Sequence, residues 1–148
     1  MNVIKALYCN QYYELKPKGK AHTAQKMGTI LSTIALVLFL MSAFFLLITF
    51  FPDFEKSLSK LFRNAFGRRS GRVIGKFAGL LSFLVAFPVV KLCFGRDAIY
   101  KHTIREFNAK SALDQKQIST KGFRFFVSAV ITIIVSVLVI AVKLNFID

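Results

Sequence analysis

None of the long apolar runs in this chain contains an internal aspartate, glutamate or histidine. Transporters and proton pumps place such groups within a span to handle an ion, since they are costly in lipid and kept only for use. Their absence argues against ion-coupled transport. Histidine is scarce throughout: His22 and His102 sit in polar, lysine-bearing stretches, with neither a serine nucleophile motif nor a metal partner at useful spacing. Each reads as a solvated surface residue, and His102 with Arg105 and Glu106 forms only a loose polar cluster. The two cysteines, Cys9 and Cys93, lie in segments of different polarity and give neither a disulfide frame nor a zinc cluster. No glycine-rich phosphate loop stands on a strand-to-helix turn. The sequence therefore predicts no enzyme, no cofactor, no metal and no small-molecule substrate. A short cleavable apolar leader is also missing before the first long run, which is expected to remain as an anchor.

What the chain has instead is apolar surface. Its 148 residues are 55% hydrophobic with 17 phenylalanines, only 19% are charged, and the mean hydropathy is +0.54. One small globule cannot bury that much, so the chain is placed in a bilayer. Three stretches carry the surplus: 27–51, 73–95 and 122–144. About 20 apolar residues cross the ~30 Å hydrocarbon core. The first stretch has no charge, and the third has 18 uncharged residues between Arg124 and Lys143. The middle one has only 14 between Lys76 and Lys91 and contains Pro88, so a re-entrant course is the alternative to a full crossing. Snorkelling lysines would stretch it to span. The expected fold is an all-α integral membrane protein with three transmembrane helices, the middle one short, glycine-striped and interrupted by proline, plus short interfacial amphipathic helices.

The segments follow from this. A basic N-terminal segment (1–26) precedes the first span (27–51). An amphipathic interfacial helix (52–67) has Phe54, Leu58, Leu61, Phe62, Ala65 and Phe66 on one face, with Pro52, Asp53 and Glu55 suiting its start. The glycine-striped segment (68–95) leads to a basic loop with a short helix (96–121), in which SALDQKQIST reads as polar loop. The third span (122–144) and a tail (145–148) complete the chain. Net charges of +4 for 1–26, +5 for 52–76, +5 for 91–124 and zero for 143–148 leave every loop basic except the tail. The flanks of the first and third spans put the N-terminus inside and the C-terminus outside. The middle segment dissents, and a two-span arrangement with 52–121 on one side would satisfy it. We expect three spans, in a bacterial inner membrane.

The most specific pattern is four glycines spaced four apart, Gly67, Gly71, Gly75 and Gly79, with Arg68, Arg72 and Lys76 following the first three. Each glycine within a helix costs roughly 1 kcal/mol relative to alanine, so close helix packing is expected to offset them. Ala78, Ser82 and Ala86 extend a small-residue surface on a neighbouring face. Lys60, Arg63, Arg68, Arg69, Arg72 and Lys76 are the expected contacts for anionic lipid or a partner, at roughly 1 kcal/mol each near a charged leaflet. Nucleic acid is disfavoured, because no binding motif accompanies the basic clusters. The function expected is that of a non-catalytic accessory or structural subunit of a larger membrane complex, meeting lipid and either other subunits or copies of itself. The rival is a self-assembling pore or channel of the holin, toxin or defence type, and after that a membrane immunity protein.

Overall fold

The computed structural model describes residues 1–66 and 70–146; the side chains of 55, 65, 66, 70–73 and 144–146 are outside that description. Among the described residues the chain is all-helical. The helices are α1 (Val3–Leu15), α2 (Ala24–Phe50, after a short 3-10 turn at Ala21–Thr23), α3 (Pro52–Phe66), α4 (Ser70–Cys93), α5 (Asp97–Asn108) and α6 (Ala112–Phe146). Three stretches, Ala21–Phe50, Ile74–Cys93 and Ala112–Lys143, are long and apolar enough to cross a membrane.

Helix α2 is central. Both α4 and α6 pack on it, while α1 lies across the starts of α2 and α6. The direction of each helix follows from its ties. Gln25, at the start of α2, donates to the Gly95 carbonyl (2.9 Å) and to Asp97 Oδ1 (2.7 Å), whereas Met41 lies beside Gly79. Hence α4 runs antiparallel to α2. Phe39 contacts Phe125 (ring centroids 5.6 Å apart), and Lys143 Nζ donates to the Thr49 carbonyl at 2.9 Å, so α6 runs parallel to α2. The Thr49 carbonyl belongs to the last turn of α2, where carbonyls lack intrahelical donors and the dipole favours a cation. The three long helices thus alternate in direction. The N-terminus and α5 gather at one end, and α3 with the C-terminal end of α6 at the other.

Pro88 does not interrupt α4, contrary to the sequence expectation. The helix continues through it to Cys93 and closes with Phe94 and Gly95 N–H groups donating to the Val90 carbonyl (both 2.9 Å). A proline inside a helix forfeits one backbone bond. Ala86 and Val90, two residues to either side, are 1% and 0% exposed, and this packing outweighs the loss. At 24 residues α4 is roughly 36 Å long, enough for a full crossing.

Two further segments differ from expectation. Residues 3–15, read as part of a plain basic segment, form the most deeply buried helix of the head, with Ala6, Leu7, Tyr8 and Cys9 all at most 2% exposed. Asn2 caps it, accepting from the Ile4 N–H at 3.2 Å. It ends before Pro17, and the chain turns at Gly19 with a left-handed φ of +69°. The stretch 111–120, read as polar loop, caps and begins α6. Ser111 Oγ donates to Asp114 Oδ2 (2.8 Å) and accepts from the Asp114 N–H (3.2 Å), a reciprocal cap that nucleates the helix ahead of the apolar run. As a result α6 is 35 residues, roughly 52 Å, longer than a ~30 Å hydrocarbon core is thick.

Candidate functional site

Two assemblies of side chains stand out: a polar-and-aromatic head at the N-terminal end, and the α4 face that carries the glycine stripe. The head forms where α1 crosses α2 and α6, and it depends on two glycines outside the stripe. A side chain on Gly28 would meet the Tyr8 ring at 2.5 Å, and one on Gly122 would run into the Ala6 carbonyl and the Leu7 backbone nitrogen. At Gly122 two backbones approach more closely than any larger residue allows, and at Gly28 the Tyr8 ring takes the space of a side chain. Tyr8 then reaches Thr29 by a 2.8 Å hydroxyl bond, and the Asn10 amide donates to Ser119 Oγ at 2.9 Å in a buried setting. Helix α5 closes the other side through Ile104 and Phe107 against Cys9, with Tyr12 and Tyr13 edge-on to the Phe107 ring.

Burial governs the ionisation of this head. It pushes the Cys9 thiol up from 9.0 to about 12, with the nearby Glu106 carboxylate adding to the effect. It likewise raises the Tyr100 hydroxyl from 10.0 to about 12. Tyr100 Oη is buried without a hydrogen-bond partner among the described residues. A buried thiol held in its protonated form is a packing group and a poor nucleophile. Because these groups lose protons more readily once exposed, their stabilising contribution is complete below about pH 9 and is lost as pH rises towards 12. Maleimide labelling of Cys9 is therefore expected to stay slow up to about pH 9 and then to accelerate more steeply than that of the exposed Cys93. Tyr100→Phe should flatten part of that rise. Parallel profiles for the two thiols would refute the linkage.

On α4, the stripe and its neighbouring face separate. Ala78, Ser82 and Ala86 are 6%, 9% and 1% exposed and continue to the fully buried Val90, forming the side seated on α2. Gly79 lies at the edge, where an added side-chain carbon would touch Met41 Sδ at an ordinary 3.9 Å. At Gly75 such a carbon would meet no atom of the described residues within 4 Å. Gly71 and Arg72 lie in α4 with their surroundings outside the description, and Gly67, Arg68 and Arg69 are outside the described residues. Lys60 and Arg63 on α3 and Lys76 on α4 are exposed, and of the α3 apolar face Phe62 is buried against Phe77 (5.5 Å between centroids) whereas Phe54 and Leu61 are exposed.

Of the remaining polar groups, the buried Ser32 hydroxyl has no partner among the described residues, and others bond locally. Thr33, Ser42, Thr49, Thr132 and Ser136 donate back to carbonyls one turn earlier at 2.7–2.8 Å, the local bonding expected of hydroxyls in apolar helices. His102 lies 3.8 Å from Glu106, both well exposed. Among the described residues no three histidine, cysteine or acidic side chains gather as metal ligands.

A second small-residue pattern was overlooked in the sequence. Buried positions recur every seven residues on α2 (Gly28, Ala35, Ser42, Thr49) and on α6 (Gly122, Ala129, Ser136). A seven-residue period keeps one side of a helix facing a parallel neighbour. Its alanine, serine and threonine members drew no notice beside the denser glycine run. No known protein family, characterised protein or solved structure matches this chain.

Proposed function

We propose that the protein is a non-catalytic, membrane-integral accessory subunit of a larger membrane complex, and that it offers the Gly75 side of α4 to a helix of another subunit. The observation that carries this reading is the division of labour on α4. Its Ala78–Ser82–Ala86–Val90 side is turned towards α2, yet an added side-chain carbon at Gly75, one turn away, would meet none of the described residues. A glycine in a helix is unfavourable by about 1 kcal/mol unless close packing offsets it, and none of the described residues does so at this position. Anionic lipid is the second partner, met by Lys60, Arg63 and Lys76 at the α3 end.

Orientation is part of the proposal. The segments at the head end, 1–26 and 91–124, hold 13 of the 21 lysines and arginines, which supports an inside N-terminus in a bacterial inner membrane. Cys93 is exposed at that same end, so a membrane-impermeant maleimide should leave it unlabelled in intact cells and label it in inverted vesicles. The deciding measurement is the native mass of the protein extracted from its host membrane in mild detergent. Co-purifying foreign subunits in fixed ratio are the expected result. A defined homo-oligomer would instead assign the Gly75 face to copies of the same chain and favour the pore reading, and a bare monomer would remove the docking role.

A further inference from the structure

We infer that the cleft between α2, α3 and α4 is a binding site for one acyl chain of an anionic phospholipid, a proposal that rests on the membrane placement above. The cleft has a volume of about 420 Å³, within the ~300–1,000 Å³ range of small-ligand sites. Leu40 and Phe44 of α2, Leu58 and Phe62 of α3 and Ala78 and Val85 of α4 line it, and the Ser82 hydroxyl is the only polar side chain among the described residues of its wall. Water gains little in such a cleft, whereas a hydrocarbon chain does.

Its depth selects the occupant. Leu40 is ten residues from Phe50 at the end of α2, roughly 15 Å along the helix, and Ile74 to Val85 covers a similar distance on α4. That is one half of a ~30 Å hydrocarbon core. A helix of a second copy would need a groove running the whole width of the bilayer; this one stops near its middle, the reach of a single leaflet's tail. Helix α3 closes the surface end. There Lys60 and Arg63 are exposed within two residues of the lining Leu58 and Phe62, and the exposed Lys76 adjoins the lining Phe77. The acidic residues of α3, Asp53 and Glu55, flank the lining Phe54 in its first turn and are outnumbered by Lys56, Lys60, Arg63 and Lys76. A negatively charged headgroup therefore meets cations at the mouth while its tail enters an apolar wall, and a zwitterionic headgroup gains less.

The test uses the full-length chain in lipid nanodiscs containing a small fraction of phosphatidylglycerol or phosphatidylcholine with a photoactivatable diazirine in the tail. Adducts are mapped by mass spectrometry. We expect them to concentrate at Leu40, Leu58 and Val85 at least fivefold over Ile131 and Ile134 on the outer side of α6, with the phosphatidylglycerol probe favoured. Neutralising Lys60, Arg63 and Lys76 to glutamine should lower that preference about fivefold per residue, at most, while phosphatidylcholine still labels the cleft. Leu58→Trp, on the surface helix, should fill the cleft and suppress labelling by both probes. Equal use of the two probes would overturn the headgroup assignment. Adducts spread evenly over the cleft and the α6 surface would overturn the site but leave the membrane placement intact, and no adducts on any of the three long helices would overturn that placement itself. Protection of the cleft together with a dimer mass would give it to a second copy.

Discussion

Replacing Gly122 by leucine is expected to release α1 from the bundle. The new side chain would have to occupy the space of the Ala6 carbonyl and the Leu7 backbone nitrogen, and neither helix backbone can yield without giving up its own contacts. Overpacking a core position costs about 1–3 kcal/mol, and a clash with backbone in place of a flexible side chain belongs at or above the upper end of that range. Undocking would also expose the Asn10–Ser119 pair and the Tyr8–Thr29 bond, so the loss is cooperative across the head. The chain carries its own reporter. Cys9 is fully buried and Cys93 exposed, so native protein at neutral pH should take one maleimide per chain and the Gly122→Leu variant two. Gly122→Ala should give an intermediate labelling rate. One label per chain in the leucine variant would show that α1 is not held at this crossing.

Leucine at Gly75 and leucine at Ala86 are expected to fail in opposite ways. Gly75→Leu places a side chain in open space and replaces a poor helix former, so the folded chain should be as stable as the parent or up to about 1 kcal/mol more stable. A partner helix packed against that glycine would be displaced, and the foreign subunits should be lost from the native mass. Ala86→Leu inserts three carbons into the seat of α4 on α2, where Ala86 is 1% exposed, and should destabilise the bundle by about 1–3 kcal/mol. Thermal unfolding in detergent together with native mass separates the two. If Gly75→Leu leaves the complex intact, the stripe is no docking face; if Ala86→Leu leaves stability unchanged, α4 is not seated by its small-residue side.

The extent of the fold readable from sequence varied with how each helix is surrounded. The three long apolar helices announce themselves through charge-free runs, and the amphipathic α3 through its i, i+4, i+8 phenylalanine and leucine positions. Helix α1 gave no such signal. It is touched by α2, α5 and α6, so six residues of its first turns from Ile4 to Asn10 are buried on different sides and no single apolar stripe develops. The polar start of α6 was misread because composition was weighed above the Ser111–Asp114 cap, which was visible as a serine three residues before an aspartate. Among the glycines, density misled. Four stand in register, while the closest approaches lie at the isolated Gly28 and Gly122, against the Tyr8 ring for the one and against the α1 backbone more than a hundred residues away for the other. The separation of Ala78, Ser82 and Ala86 from Gly75 needed the direction of α2, which no pattern within α4 contains.

The crossing of α1 over Gly122 also imposes an order on biogenesis. Helix α1 leaves the ribosome well before α6, since Ser119 and Gly122 are made more than a hundred residues later. At about 5–20 residues per second, the N-terminal helix waits roughly 5–20 s for the surface it will dock on. During that interval Ile4, Leu7 and Tyr8 have no final partner on α6, and α2 offers only part of their seat. Helix α1 is thus made long before the surface it docks on, and only a chain synthesised past Gly122 can complete the head.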